Sequence, residues 1–253
     1  MRYDMTRPKA LLQAFLYALA FMIAIGLSSL FIGYAIGSED RKRVIIIDTG
    51  LDLNDERFTP YLCKDGKHKD FTRGGVKDIL GHGTHVAGLI ILNAPQVDQY
   101  CITVIKYTDG GSNGVLNTKR FFKAIAYAAT LNPYILSLSV DSDSSKDAKE
   151  INILKRFKRI VLASGNSGKN LDEVLLYPVR YDLPNAQVVG NFDCGNVEGP
   201  RRNPSSNYGS MVTYECGTAV KSYRIGNGFK DMTGSSMAVP VRVAKILDKE
   251  YSH

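Results

Sequence analysis

Arg43-Val44-Ile45-Ile46-Ile47 sets the tightest limit on the fold. A β-branched run without polar alternation makes a strand covered on both faces, and such strands belong to parallel sheets sandwiched between helices. The strand ends at Asp48-Thr49-Gly50. Beyond it, helices and strands alternate. A helix is predicted from His82 to Leu92, stopped by Asn93-Ala94-Pro95, then a strand from Cys101 to Tyr107. Asn117 caps a second helix reaching Leu131, with Phe121, Phe122, Ile125, Ala128 and Ala129 on one face. A strand from Tyr134 to Val140, a helix from Lys146 to Phe157, and strands at Ile160 to Ala163 and Gln187 to Gly190 complete the pattern. Alternation of this kind predicts right-handed βαβ units in an α/β domain with a mostly parallel central sheet. Functional residues then belong at the carboxyl ends of strands, where Asp48 and Ser164-Gly165-Asn166 fall.

Ahead of this domain, Ala10 to Gly37 carry no charged side chain. As a helix the segment would reach about 42 Å, more than the roughly 30 Å hydrocarbon core of a bilayer. The expected division is a charged tail over 1–9, a transmembrane signal anchor over 10–37 and a soluble domain over 38–253. A cleavable signal peptide ending near Ala35-Ile36-Gly37 is the competing reading, but its apolar region should be shorter. A short head left in the cytoplasm would place the domain outside it, single-pass at the membrane. Cys63, Cys101, Cys194 and Cys216 form an even set without metal spacing, so either two disulfides or four buried thiols are open. The net charge of +7 comes from scattered short runs such as Arg41-Lys42-Arg43 and Lys155-Arg156-Phe157-Lys158-Arg159. Scatter argues against nucleic acid as a main partner and fits solvated faces or a membrane-proximal anchor.

Four stretches carry chemistry. Asp48-Thr49-Gly50 suits either half of an aspartic dyad or a carboxylate that orients a histidine. Gly81-His82-Gly83-Thr84-His85-Val86-Ala87-Gly88 then places a histidine at a helix start between glycines, as a general base requires. His82 and His85 could instead share a metal, but no HExxH pattern or further His/Cys cluster supports that, and no metal or cofactor is expected. Ala163-Ser164-Gly165-Asn166 and Gly234-Ser235-Ser236 come next along the chain. Alone, Ser236 before a helix reads as a cap.

Taken together and in this order, the motifs resemble those of the subtilisin-like serine proteases, over roughly Val44 to Tyr251. The resemblance implies a three-layer α/β fold and peptide-bond hydrolysis. It implies Ser236 as nucleophile, His82 as base, Asp48 as its orienter, and Asn166 with the Ser236 backbone N–H as oxyanion hole. Ser112-Asn113-Gly114 and Ser139-Val140-Asp141 match the segments that pair with an extended polypeptide substrate, and Ala163, Ser164 and Gly165 match the wall of the pocket before the scissile bond. It further suggests the pairs Cys63 with Cys101 and Cys194 with Cys216, and a cis bond at Tyr177-Pro178.

The departures carry expectations of their own. Ser235 stands where the family has threonine, and Asp141 where it has glycine. With Asp143, that residue predicts a preference for basic substrate residues near the cut, a solvated turn being the alternative. The short stretch from Leu92 to Gln99 leaves no room for the family's calcium loop. No folding segment stands between anchor and first strand, so the domain folds unaided or with a folding or inhibitory partner of unknown kind. A rival function is a catalytically idle member acting as a peptide-binding or assembly module.

Overall fold

The structure, a computed structural model, describes residues 41–110, 114–140 and 147–249. Its centre is β1, Lys42–Asp48, buried from Val44 onward. The next strands are β2 (Lys69–Asp70), β3 (Tyr100–Lys106), β4 (Ile135–Leu138), β5 (Ile160–Ala163), β6 (Ala186–Asp193), β7 (Arg201–Arg202) and β8 (Val212–Cys216). Among the described residues these make one eight-stranded sheet in the order β2-β3-β1-β4-β5-β6-β7, with β8 also paired to β6. Every pairing is parallel except the short β6–β7 contact.

Among the described residues four α-helices connect or cover it: α1 (His82–Asn93), α2 (Gly114–Thr130), α3 (Ala148–Leu154) and α4 (Ser235–Lys249). After β1 the chain crosses through α1 to β3 on one side, then returns through α2 to β4 on the other. Right-handed crossovers in opposite directions place their helices on opposite faces. The side chains of β1 divide accordingly. Val44 and Ile46 join the core shared with α1 and α4, while Ile45 and Ile47 join the core under α2 and α3. This reversal of strand order makes the carboxyl end of β1 the switch point, the place where α/β sheets open a crevice.

The helix predicted from Asn117 begins at Gly114, and its buried stripe is Phe121, Ala124, Ile125 and Ala128. Phe122, placed on that face from sequence, is only half-buried. A hairpin of β9 (Val220–Tyr223) and β10 (Phe229–Met232) lies apart from the sheet and leads into α4. Arg57 pins it, its guanidinium 3.7 Å above the Tyr223 ring and bonded to Asp55. Among the described residues no helix is long and apolar enough to cross a membrane. The anchor expected over residues 10–37 lies outside the described residues.

Candidate active site

Asp48 ends β1 at the switch point and is 2% exposed. Its Oδ1 accepts the Thr49 backbone N–H at 2.7 Å and lies 2.7 Å from His82 Nδ1. His82 opens α1, and the approach is permitted by Gly83. A Cβ on Gly83 would sit 2.2 Å from the Gly50 carbonyl oxygen and 3.2 Å from Asp48 Cβ. Gly50 is under a similar constraint, with φ of 115° and the Val76 carbonyl 2.4 Å from where a Cβ would stand.

Asp78, not singled out from the sequence, binds this corner together. Its Oδ1 accepts from Leu80 N, Gly81 N and Thr49 Oγ1, each at 2.9 Å. Its Oδ2 accepts from Thr84 N and Thr84 Oγ1. Burial pushes the Asp78 carboxyl up, but the hydrogen bonds from Gly81, Thr84 and Leu80 outweigh it and hold the group below the usual carboxylate value. An acid just ahead of a helix N-terminus is the signal that could have found it. His85 faces away, its Nε2–H donating to the Lys230 carbonyl at 2.9 Å, and burial lowers its pKa. That ring holds the hairpin to α1, which leaves the sequence alternative of a His82–His85 metal pair without its second ligand.

Ser236 enters from the other side as the second residue of α4. Pro240 lies four residues on and has no N–H, so the Ser236 carbonyl lacks its helical donor. Ser139 supplies one, its Oγ donating at 2.8 Å, while Ser236 Oγ lies 3.4 Å from the Ser139 carbonyl. The Ser139 side chain therefore braces the helix, a role without a signal in the sequence. Ser235 is buried, its backbone N–H and hydroxyl both donating to Asn166 Oδ1, at 2.8 and 3.1 Å. The same hydroxyl accepts from Gly165 N at 3.1 Å. Asn207, equally silent in the sequence, fixes this loop from behind: it donates to the Ser164 carbonyl and accepts from Ser167 N and Lys169 N.

Asp48, Thr49, His82, Ser139, Val140, Asn166 and Ser236 all line one cleft of about 330 Å³. Ala163 and Ser164 are buried beside it at the end of β5, and Gly165 turns there with φ of 96°. Gly114 is the first residue of α2 and not part of an extended segment. Ser112, Asn113 and Asp141 lie outside the described residues, as does Asp143. Lys106 is 1% exposed at the end of β3. Its Nζ donates to the Lys77 carbonyl at 2.7 Å and lies 2.7 Å from Asp109, joining the loop before His82 to the one before α2. Cys63 is bonded to Cys101 and Cys194 to Cys216, and the Tyr177–Pro178 peptide is cis.

Known proteins share this arrangement of chain. A thermostable alkaline protease of Halalkalibacterium halodurans is 27% identical over 225 residues, covering 83% of this chain and 57% of that protein. Subtilisin Savinase of Lederbergia lenta is 29% identical over 215 residues, 78% of this chain and 72% of its own. The chain thus spans between about half and three quarters of the curated relatives it matches. The crystal structure of a cold-adapted subtilisin-like serine proteinase has the same fold, with a TM-score of 0.65 at 24% identity over 82% of this chain and 74% of that one. The model of the Subtilase family, peptidase S8, matches residues 41–247, and on that match the chain belongs to this family.

Proposed function

We propose that the protein is a serine endopeptidase acting through Asp48, His82 and Ser236. The observation that carries this reading is the 2.7 Å contact between Asp48 Oδ1 and His82 Nδ1 in the cleft that Ser236 also lines. Asp48 keeps the His82 proton on Nδ1, so that Nε2 is the basic nitrogen. His82 takes the Ser236 hydroxyl proton as Oγ adds to the substrate carbonyl carbon. The carbonyl oxygen gains the negative charge. When the tetrahedral species collapses, His82 gives that proton to the leaving amine, and an acyl ester remains on Ser236. Water then repeats the sequence and releases the acid. Oδ1 of Asn166 is tied to Ser235, so its Nδ2 is the end available to the oxyanion. With the Ser236 backbone N–H it completes the hole, and losing one such donor costs about 10²–10³ in turnover.

The substrate is a polypeptide bound as an extended strand along Ser139-Val140-Asp141 and Ser112-Asn113, ahead of α2. Residues 10–37 tether the enzyme to the bilayer as a single-pass anchor, with the peptidase domain outside the cytoplasm. The uncharged length of that segment supports the tether. The two disulfides support an oxidising side. Membranes labelled with a fluorophosphonate probe should show a band at the size of this chain that Ser236→Ala removes. Equal labelling of both, or none in folded protein, would overturn the enzyme assignment. An impermeant probe on intact cells reads the topology at the same time.

A further inference from the structure

We propose that the Cys194–Cys216 bond is a redox gate on Ser236: it locks the end of β8 that seats α4, and its reduction slows the nucleophile without unfolding the domain. Cys216 is the last residue of β8 and pairs in register with Phe192, while Cys194 is the first residue beyond β6. The bond therefore fastens two strand ends at the point where the chain leaves the sheet for the cleft. Three alternate residues there hold the stretch that carries the nucleophile. Glu215, 5% exposed, takes Lys245 Nζ at 2.6 Å and Arg242 at 3.4 Å, both on α4. The Gly234 N–H donates to the Gly217 carbonyl at 2.9 Å. The Ala219 N–H donates to Thr233 Oγ1 at 2.9 Å. Gly234 stands two residues ahead of Ser236. Its carbonyl accepts the Met237 N–H at 3.0 Å, and the next N–H, that of Ser235, donates to Asn166 Oδ1. The turn so braced orients the Ser236 hydroxyl and the Asn166 amide together.

Backbone meets backbone in this clamp. A Cβ on Gly217 would stand 2.7 Å from the Gly234 carbonyl oxygen and 2.8 Å from Asn191 Oδ1. A shift of Cys216 moves Gly217, and close packing passes that shift to Gly234 rather than absorbing it. With the bond open, five residue pairs still join β8 to β6, so the strand stays in the sheet. Only its end loses covalent fixing, leaving Gly217 N and Thr218 N to one acceptor, the Phe192 carbonyl, at 3.0 and 3.3 Å. Access favours this bond, since Cys194 is exposed while Cys63 and Cys101 are buried. The co-reactant is a dithiol. One of its thiolates attacks Cys194 Sγ, and Cys216 departs as a thiolate, leaving a mixed disulfide. The second thiol displaces Cys194, so the dithiol is oxidised to a disulfide and the protein gains two electrons and two protons. This inference rests on Ser236 as the nucleophile proposed above.

The full chain, oxidised or treated with dithiothreitol, tests it by the rate of fluorophosphonate labelling well below the melting temperature. Mapped alkylation checks that Cys194 and Cys216 alone are reduced. The rate is expected to fall about threefold to tenfold, the net worth of one hydrogen bond, and to return on reoxidation. Its pH profile should keep its midpoint, because Asp48 and His82 stand on other elements. The variant Cys194→Ser/Cys216→Ser should label at the reduced rate whether or not dithiol is present. Amide exchange should quicken over residues 217–236 on reduction and stay unchanged in β1. Equal labelling rates in the two states overturn the gate, and so does a bond that resists dithiothreitol. Loss of protection throughout the sheet overturns it too, because the bond would then serve the whole fold. Absence of labelling in both states of folded protein sinks the assignment of Ser236 instead. Exchange then decides the clamp, and an unchanged rate over residues 217–236 overturns it.

Discussion

Ser139 and Asp78 show how single side chains hold Ser236, and the loops around Asp48 and His82, in place. Ser139 replaces the backbone donor that Pro240 cannot offer, so Ser139→Ala should leave the Ser236 carbonyl without that partner. The expected cost is about 1–3 kcal/mol of stability. Turnover should fall as well, because the residue whose carbonyl is released carries the proposed nucleophile. Thermal unfolding and single-turnover acylation measure the two effects separately. Asp78 accepts hydrogen bonds from Thr49, Leu80, Gly81 and Thr84, the residues around Asp48 and His82. Its pKa is depressed on folding, so its contribution is complete above the ordinary carboxylate range and is lost as pH falls through the lower folded value. Asp78→Asn should flatten that acid limb of a stability profile and lower kcat/KM. Gly83→Ala should be more severe than either. Its Cβ meets backbone oxygen rather than a movable side chain, and the variant is expected to lose activity in refolded protein.

Among the elements, those with long apolar periods are legible in the sequence, and those made by tertiary pairing are not. β1, β3 and β5 read as buried strands because apolar residues crowd them, unbroken over Val44–Ile47 and Ile160–Ala163 and broken only by Thr103 in β3. α2 starts three residues earlier than its sequence indicates, since Asn117 has the chemistry of a cap while the helix begins at Gly114. β8 and the β9–β10 hairpin are short, and Lys221-Ser222 and Lys230-Asp231 interrupt the hairpin's apolar residues; contact with β6 and α1 holds them rather than local preference. The proposed catalytic residues are legible as motifs, whereas Asp78, Asn207 and the bracing role of Ser139 depend on loops meeting in space. Lys106 belongs to the same group, tying the ends of two loops. Lys106→Met removes a charged hydrogen bond to the Lys77 carbonyl, costs about 2 kcal/mol and should raise KM more than it lowers kcat. The Cys194–Cys216 bond joins the ends of β6 and β8, and the carbonyl of the next residue, Gly217, accepts the Gly234 N–H at 2.9 Å just before Ser236. Its loop of 22 residues implies about 3 kcal/mol of stabilisation. Cys194 is exposed while Cys63 and Cys101 are buried, so mild reductant should open this bond first, seen as selective thiol alkylation and a lower melting temperature.

For the whole molecule, stability should respond to acid through the edge of the sheet. His68 Nδ1 accepts the Val104 N–H at 3.0 Å, and Nε2–H donates to the Cys63 carbonyl at 3.2 Å, so the ring stands in for missing strand backbone beside β3. Burial lowers its pKa, with Asp65 and Arg43 facing it from opposite signs. The unfolded chain takes up this proton near the ordinary value of about 6.5, and the folded one only at lower pH. Stability is thus complete above that value and declines as pH falls toward the folded one. His68→Gln, which keeps an acceptor for Val104, should reduce that slope in chemical denaturation run across the window. The bracing of Ser236 by Ser139 also bears on when activity can arise. The two residues are 97 positions apart, and the cleft needs α4 seated against β4, β5 and β6. A ribosome delivers β1 and α1 long before α4, so the growing chain passes through a period with Asp48 and His82 made but no nucleophile beside them. On the proposed mechanism, peptide cleavage is then a property acquired only when the last described helix docks, and a nascent chain without that helix lacks the nucleophile.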